Sequence, residues 1–293
     1  MSQIRGPPLS PFTQERVTLK TLARQLGVSA MTVSNAFNRP QELSGDLRER
    51  IIAAAAKVGY YSPRPSGRML KTGRVGAFAL FNPDPIPHLF EDPFTSSFVA
   101  GISEICEKYQ YGLTLLPRAK DASQISAIDQ VAVDGFILHA IPDQSSIIPR
   151  IRGRQLPIVT VDMSKLPGVP TIGIDDRESV GKIASHVLEL GHKKITVLSL
   201  EMNLDGFSGR VTSDRMRQCN MAVTRQRLLG YSDALAKAGI DLETVAVYEV
   251  RGNNEMEAYH WATTFLKQKA GRPTAVLAMS DCLALADYAQ QFN

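Results

Sequence analysis

Between Val17 and Asn38 apolar residues recur at three- and four-residue spacing, pause at one glycine and then resume. The segment VTLKTLARQLGVSAMTVSNAFN therefore predicts two short amphipathic helices joined by a tight turn, at the spacing of a helix-turn-helix. Leu22, Ala23 and Leu26 face inward from the first helix, and Val33, Ala36 and Phe37 from the second. Ala23 is small where the two helices cross, and Gly27 stands where the turn needs a residue that tolerates positive φ. Thr18 and Ser29 are placed to cap the two helices, each side-chain oxygen accepting an otherwise unpaired backbone N–H. The outward face of the second helix, Ala30, Met31 and Asn35, is short and uncharged, as a groove-reading helix can be. A third run, DLRERIIAAAAKVG, follows Ser44 as a plausible N-cap and ends at Gly59, closing a three-helix head.

Residues 60–74, YYSPRPSGRMLKTGR, change to Pro, Ser, Gly and basic residues, a linker composition. From Val75 the pattern becomes short apolar runs alternating with helical periodicity. VGAFALF, YGLTLL, DGFILH, PIVTV, ITVLSL, VAVYEV and TAVLAM read as buried strands. Among them lie the helix-like stretches SSFVAGISEICEKY, SVGKIASHVLELG, RQRLLGYSDALAKAG and NEMEAYHWATTFLKQ. Strand–helix alternation predicts parallel sheets covered on both faces, arranged as two doubly wound lobes that bind ligands outside the carboxyl ends of their strands. The lobe boundary is expected near TIGIDDRE. The organisation is then a flexible arm (1–16), a helix-turn-helix head (17–60), a hinge or linker (61–74) and an α/β core (75–293).

Composition adds a division of charge. Of the 33 basic and 29 acidic residues, 12 and 4 lie in residues 1–74, a net +8, leaving 21 and 25 for the rest, a net −4. A basic head on an acidic body suits a phosphate-binding module attached to a small-molecule domain. The hydrophobic fraction of 44% is that of a globular protein with a real core. The three cysteines, Cys106, Cys219 and Cys282, are odd in number and form no C-x-x-C pair, so they read as thiols of a reducing cytoplasm. The start has no apolar h-region and no stretch is long enough to span a bilayer, so the expected location is cytoplasmic. Neither G-x-G-x-x-G nor a Walker-type loop occurs, and the five histidines are scattered; no cofactor, metal or catalytic group is expected. His192, in GHKKI, lies between a helix and a strand without a nucleophile or paired carboxylate nearby in sequence, and reads as structural.

These segments together resemble the LacI/GalR family of bacterial transcriptional regulators over nearly the whole chain. The most specific part is VTLKTLARQLGVSAMTVSNAFN, followed by LRERIIAAAAKVGY and by RMLKTGR leading into VGAFAL; HVLELGHKKITVLS, RQRLLGYSDALAKAGI and SDCLALA look like the family's core. The resemblance implies a periplasmic-binding-protein-like core that senses a small-molecule effector and a homodimer that binds a near-palindromic DNA operator. It also implies that the chain ends at Asn293 where relatives continue with further strands, so the second lobe reads as incomplete, with an uncovered sheet edge.

On physical grounds the second helix would lie in the major groove. Asn35 can bond an adenine edge bidentately, while Ala30 and Met31 offer apolar contact to thymine methyls, although Met31 can instead be packing. Thr18, Arg24, Ser29, Thr32, Ser34 and Arg48 suit phosphate and positioning contacts. RMLKTGR is similar to the family's hinge helix, with Arg68 among its basic groups and Leu70 at the position that wedges into the minor groove. Pro65 and Gly67 depart from that pattern, so the wedge is either Leu70 or Met69. In the core, Arg227 and Asp281 match the arginine and aspartate that the resemblance assigns to the effector. Asp281 can equally be the N-cap of the helix after it, Arg227 can be a surface ion pair, and Arg225 reads as one. Asn254 falls where relatives often carry an aromatic ring, and Phe81 and Phe90, flanking the Pro-rich insert FNPDPIPHLFEDPF, are candidate pocket walls. The function expected is a sequence-specific repressor modulated by a sugar or nucleobase-like effector. The alternatives are a cytoplasmic small-molecule-binding protein or enzyme on the same core, or a truncated relative with impaired ligand response.

Overall fold

The computed structural model describes residues 17–61, 69, 73–117, 126–253, 255–266 and 272–289. The chain divides into two compact units, Met1–Val75 and Gly76–Asn293.

The first unit holds α1 (Leu19–Leu26), α2 (Ala30–Asn38), a 3-10 turn (Pro40–Glu42) and α3 (Gly45–Lys57). Leu22, Ala23, Val33, Ala36, Ile51, Ala55 and Tyr60 form its buried core. Leu26 and Phe37, expected inside, are half-buried at its rim, and Phe37 packs edge-on against Tyr60 with ring centroids 5.6 Å apart. Gly27 adopts φ +67° and donates its N–H to the carbonyls of Ala23 and Arg24, closing α1 in the left-handed conformation that the turn requires. Ser44 occupies the N-cap position of α3, although its hydroxyl makes no capping bond.

The second unit contains two sheets. Its elements are β1 (Ala77–Phe81), α4 (His88–Glu91), α5 (Pro93–Lys108), β2 (Gly112–Leu116), α6 (Ser126–Gln130), β3 (Gly135–His139), α7 (Ile147–Gly153), β4 (Ile158–Val161) and β5 (Thr171–Ile172). There follow α8 (Asp176–Glu189), β6 (Ile195–Ser199), β7 (Gly209–Arg210), α9 (Ser213–Arg217), α10 (Ala222–Lys237), β8 (Ala246–Glu249), α11 (Glu255–Leu266), β9 (Ala275–Ala278) and α12 (Asp281–Ala289). The first sheet has the order β2-β1-β3-β4-β5 and the second β7-β8-β6-β9. All seven expected strands form, and among the described residues every pairing is parallel except β7 with β8. The antiparallel edge strand was not legible: two residues of β7 carry no periodicity.

The strands are apolar on both faces because both faces are covered. In the first lobe Ala79 and Phe81 pack on one side with Ile128, Ile147 and Ile151, while Leu80 packs on the other with Leu89 and Val99. In the second, Val197, Val247 and Leu277 pack against Val180, Ala184, Tyr231 and Leu235 of α8 and α10. Leu198 faces the opposite layer, where Ala258, Trp261 and Leu283 come from α11 and α12. The α8–α10 crossing is close because Gly230 presents no side chain. A Cβ there would stand 2.3 Å from the Arg177 carbonyl oxygen.

Candidate nucleic-acid interface and ligand cleft

In the head, capping fixes the start of both helices of the motif. Thr18 Oγ1 accepts the Thr21 N–H at 3.2 Å while Thr21 Oγ1 accepts the Thr18 N–H at 2.8 Å, a reciprocal capping box. Ser29 Oγ accepts the Thr32 N–H at 3.0 Å and shares a 2.8 Å hydrogen bond with Thr32 Oγ1. These caps leave Ala30 and Met31 exposed at the N-terminal end of α2, with Met31 60% accessible. Core packing is therefore not what Met31 does. Arg24 and Arg48 are exposed on α1 and α3. Ser34 receives the Asn38 side-chain amide at its backbone oxygen (3.0 Å) and at Oγ (3.3 Å).

Asn35 is not an isolated polar group. Its Nδ2 donates to Glu42 Oε2 at 2.7 Å, and Glu42 Oε1 accepts from Arg39 Nη1 at 2.8 Å. Sequence reasoning passed over Glu42, although a signal existed: it is the only acidic residue between Val17 and Gly45. Arg68, Leu70 and Asn254 lie outside the described residues; Met69 is described and exposed.

In the core, the order β1-β3-β4 brings three strand ends side by side, and a polar cluster forms there. Asn82, following β1, donates from Nδ2 to His139 Nδ1 at 2.7 Å; His139 Nε2 faces Asp162 Oδ2, after β4, at 3.5 Å. An accepting Nδ1 places the imidazole proton on Nε2, toward Asp162. Phe98 and Phe94 flank the imidazole at 5.0 and 5.7 Å between ring centroids. Ala140 (φ +52°) and Asp162 (φ +53°) both hold left-handed backbone at these strand ends, a conformation uncommon outside glycine and one that tends to mark functional turns.

Phe81 is not a pocket wall. It is 1% exposed and points into the hydrophobic layer beneath the sheet, since alternation along β1 puts it in phase with Ala79. The strand end is instead carried by Asn82, its neighbour. Phe90 is exposed on α4, and the rings at the cluster are those of Phe94 and Phe98.

Two polar bridges join the lobes. Asp92 caps α5 through Oδ1 (Thr95 N, 2.8 Å) and accepts Asn253 Nδ2 at Oδ2 (3.2 Å); Asn253 Oδ1 in turn accepts the Ser280 hydroxyl at 2.6 Å. In the second bridge Arg225 reaches Asp143 at 2.7 Å and Ser164 Oγ at 2.9 Å, while the Asp143 N–H donates to the Asn220 carbonyl at 3.0 Å. Arg225 is therefore no peripheral surface pair: it is half-buried and spans both lobes. One oxygen of this carboxylate, Asp143 Oδ1, is buried without a hydrogen-bond partner.

Arg227 donates from Nε to Asp176 Oδ1 at 2.8 Å and from Nη1 to the Met279 carbonyl. It is thus a largely buried tie between α10, α8 and the end of β9, rather than a surface pair. Asp281 is exposed, and the N-cap of α12 is Ser280, whose Oγ accepts the Leu283 N–H at 3.2 Å. Glu249, at the end of β8, is wholly buried and bound by Arg215 at 2.5 Å and by the Met202 N–H at 2.9 Å. The hydrogen bonds to Glu249 and Asp205 raise the Arg215 pKa further, and the Met202 bond anchors the segment after β6. His192 bonds Thr274 Oγ1 at 3.0 Å, a link between loops. All three cysteines are free thiols. No described helix is long and apolar enough to cross a membrane.

A capped helix-turn-helix in a basic unit, followed by a two-sheet α/β core with polar groups gathered at its strand ends, defines a helix-turn-helix regulator with a periplasmic-binding-protein-like sensor fold. Comparison with known proteins agrees. Residues 18–63 match the model for bacterial regulatory proteins of the lacI family, and residues 86–291 that for periplasmic binding proteins and the sugar binding domain of the LacI family. The chain is 37% identical over 282 residues to the HTH-type transcriptional regulator Rv3575c of Mycobacterium tuberculosis, spanning 95% of this chain and 78% of that protein. Among solved structures it is similar to a LacI-family transcriptional regulator from Corynebacterium glutamicum (30% identity, TM-score 0.66, 95% of this chain and 80% of that one). It also shares the fold of the lac repressor dimer bound to operator and the anti-inducer ONPF (21% identity, TM-score 0.69, 94% and 77%).

The chain belongs to the LacI family, and it is a helix-turn-helix transcriptional regulator. Its relatives are regulators, not enzymes, which removes the enzyme alternative.

Proposed function

We propose that the protein is a repressor that reads a near-palindromic operator as a homodimer and whose operator affinity is set by a small hydroxylated effector bound between the two lobes. It works in the cytoplasm, on the bacterial nucleoid. The observation that carries the reading is the exposed Ala30 and Met31 at the start of α2, with the half-buried Asn35 one turn further on, held at a fixed start by the Ser29 cap, in a unit of net positive charge. α2 enters the major groove; Met31 and Ala30 meet thymine methyls and Asn35 an adenine edge. Thr18, Ser29, Thr32 and Ser34, with the exposed Arg24 and Arg48, position the head on phosphates. Arg68 and Leu70 belong to the hinge, Leu70 serving as the minor-groove wedge. The lac repressor, similar in fold, is a dimer on its operator in its solved structure.

For the effector, the strand-end groups Asn82, His139 and Asp162 offer donors and acceptors beside the Phe94 and Phe98 rings. That combination suits a hydroxylated ring: hydroxyls bond the polar groups while its apolar face lies on the aromatics. Asn253, Asp92 and Ser280 stand across the lobes, with Asp281 and Asn254 next to them in sequence. Arg227 ties α10 to α8 through Asp176 and to the end of β9 through the Met279 carbonyl. An effector that bonds both lobes at once shifts the balance between their relative orientations, and operator affinity shifts with it.

The test is direct. Purified protein is expected to bind an inverted-repeat duplex, recovered from a random library, with affinity that falls steeply as salt rises, because neutralised phosphates release counterions. Equal affinity for scrambled duplexes at every salt concentration would end the operator reading. A thermal-shift screen of sugars, polyols and nucleobases addresses the effector. No ligand that both raises the core's melting temperature and changes operator affinity would end the effector reading.

A further inference from the structure

We propose that Glu42 is a positioning residue for base readout: it holds the Asn35 amide in one orientation on the reading side of α2 and so sets which base Asn35 accepts. The inference rests on the operator reading given above and goes beyond it, to a group that need not touch DNA.

Four observations converge on Glu42. First, its carboxylate bridges two side chains, taking the Asn35 amide at Oε2 (2.7 Å) and the Arg39 guanidinium at Oε1 (2.8 Å). Second, it reaches α2 because the chain reverses: Arg39 leaves helical geometry at φ −142°, Pro40 starts a 3-10 turn, and that turn closes with the Glu42 N–H on the Arg39 carbonyl at 3.0 Å. Leu43, the next residue, packs against the head's hydrophobic core and anchors the turn. Third, Glu42 is the only acidic residue between Val17 and Gly45, in a stretch that must approach a polyanion. A lone carboxylate at such a surface works against binding through repulsion from phosphates, and the Arg39 pair offsets that repulsion only in part. Fourth, both partners of the bridge are on α2 or its C-terminal cap, so the carboxylate acts on the reading helix and not on the packing beneath it.

The chemistry follows from the amide. Asn offers two N–H donors on Nδ2 and an acceptor oxygen. An unrestrained Asn can rotate its amide by half a turn and exchange donor for acceptor, and so accommodates more than one base edge. One N–H committed to Glu42 fixes the nitrogen on that side. The second N–H and Oδ1 remain to meet adenine N7 and N6, the bidentate pattern that separates adenine from other bases in the major groove. Arg39 keeps the carboxylate ionised and aimed, and an ionised acceptor makes the stronger hydrogen bond.

The experiment uses the full chain and the preferred duplex recovered by selection. Equilibrium binding is measured for that duplex and for versions changed at each base pair, at several salt concentrations. The proteins compared are wild type, Asn35→Ala, Glu42→Ala, Glu42→Gln, Glu42→Asp and the Asn35→Ala/Glu42→Ala double variant.

Glu42→Ala is expected to lose about tenfold in discrimination at one base pair per half-site, the same base pair that Asn35→Ala loses. The double variant is expected to lose no more than Asn35→Ala alone, the signature of two residues acting as one unit. Glu42→Gln, which retains an acceptor oxygen at the same reach, is expected to restore discrimination to within about twofold. Glu42→Asp keeps the charge but loses one methylene of reach, so it is expected to behave like Glu42→Ala in discrimination while matching wild type in salt dependence. That variant also separates positioning from any folding defect of the alanine change.

Losses that multiply in the double variant, or that fall on different base pairs, would overturn the proposal. So would Glu42→Gln changing preference at a base pair indifferent to Asn35, since Glu42 would then contact a base itself. Uniformly tighter binding by Glu42→Ala with discrimination intact would show a carboxylate that only repels. If the wild-type protein selects no sequence at all, the operator reading fails first and this inference with it.

Discussion

Gly230 in α10 is the place where one methyl group has the largest worked consequence. A Cβ built there stands 2.3 Å from the Arg177 carbonyl oxygen, 3.0 Å from its carbonyl carbon and 2.6 Å from Val180 Cγ2. Carbon contacts are comfortable from about 3.5 Å, so both neighbours must retreat by about 1 Å. The Val180 methyl can turn aside, but the Arg177 carbonyl is backbone in the first turn of α8, so the helix itself must move. Overpacking of this kind costs about 1–3 kcal/mol, and the better helix propensity of alanine returns about 1 kcal/mol. With backbone as the obstacle the upper end applies, and Gly230→Ala is expected to destabilise the core by about 2 kcal/mol. For a unit of this size that is a fall of about 5 °C in melting temperature.

Two other glycines provide controls. Gly181, on the other side of the same crossing, would place its Cβ 3.5 Å from the Gly230 carbonyl, an ordinary contact, and Gly101 in α5 has nothing within 4 Å. Gly101→Ala is expected to gain about 0.5–1 kcal/mol, and Gly181→Ala to be neutral or slightly stabilising. The measurement is differential scanning calorimetry of the core transition at fixed protein concentration. Because Asp176 precedes Arg177 and pairs with Arg227, Gly230→Ala is also expected to weaken effector response. A Gly230→Ala protein that melts at or above wild type, while Gly101→Ala behaves as stated, would refute the close-crossing argument.

Three further outcomes are expected. Ser29→Ala removes the cap of α2 and should cost the head about 1 kcal/mol; thermal circular dichroism should show the head's transition moving and the core's staying in place, and an unmoved head would contradict the capping assignment. Asp143→Asn weakens the Arg225 bridge, by about 1 kcal/mol for a half-exposed charged hydrogen bond, so hydrogen exchange should rise around residues 140–145 and 218–222 while the sheets stay protected. Exchange confined to wild-type rates would show that the bridge does not hold the lobes. Burial pushes the Cys219 thiol up to about 11, so at pH 8 about one molecule in a thousand carries the thiolate, about 200-fold fewer than an ordinary thiol. Alkylation of Cys219 in the folded protein should therefore climb about tenfold per pH unit from 7 to 10, and a plateau below pH 9 would contradict it.

Much of the head and core was legible because the signals are local. A cap needs an oxygen three residues before its donor, a left-handed turn needs glycine, and a buried strand needs a short apolar run; Thr18, Ser29, Gly27 and all seven core strands follow from such rules. The errors share a cause as well. Phe81 reads as a pocket wall because a run apolar on both faces carries no phase, whereas the packing turns it inward and Asn82 takes the strand end. The cap of α12 was displaced by one residue, from Ser280 to Asp281, since both side chains can cap and sequence does not say where the backbone leaves the strand. Arg225 read as a surface pair because its partners, Asp143 and Ser164, belong to the other lobe.

The sequence by itself determined the class of protein: the spacing, caps and turn of residues 17–38, the division of charge and the strand–helix alternation already specify a basic reading head before a two-lobed sensor core. Only the tertiary structure decided which polar groups meet. Asn82 and His139 are 57 residues apart and become partners because parallel strand order sets β1 beside β3. Asn35 and Glu42 meet because a 3-10 turn reverses the chain. Periodicity and capping are energies of neighbouring residues and can be read along the chain. Hydrogen-bond partnership depends on which distant segments burial forces together, and that is settled only when the chain has packed.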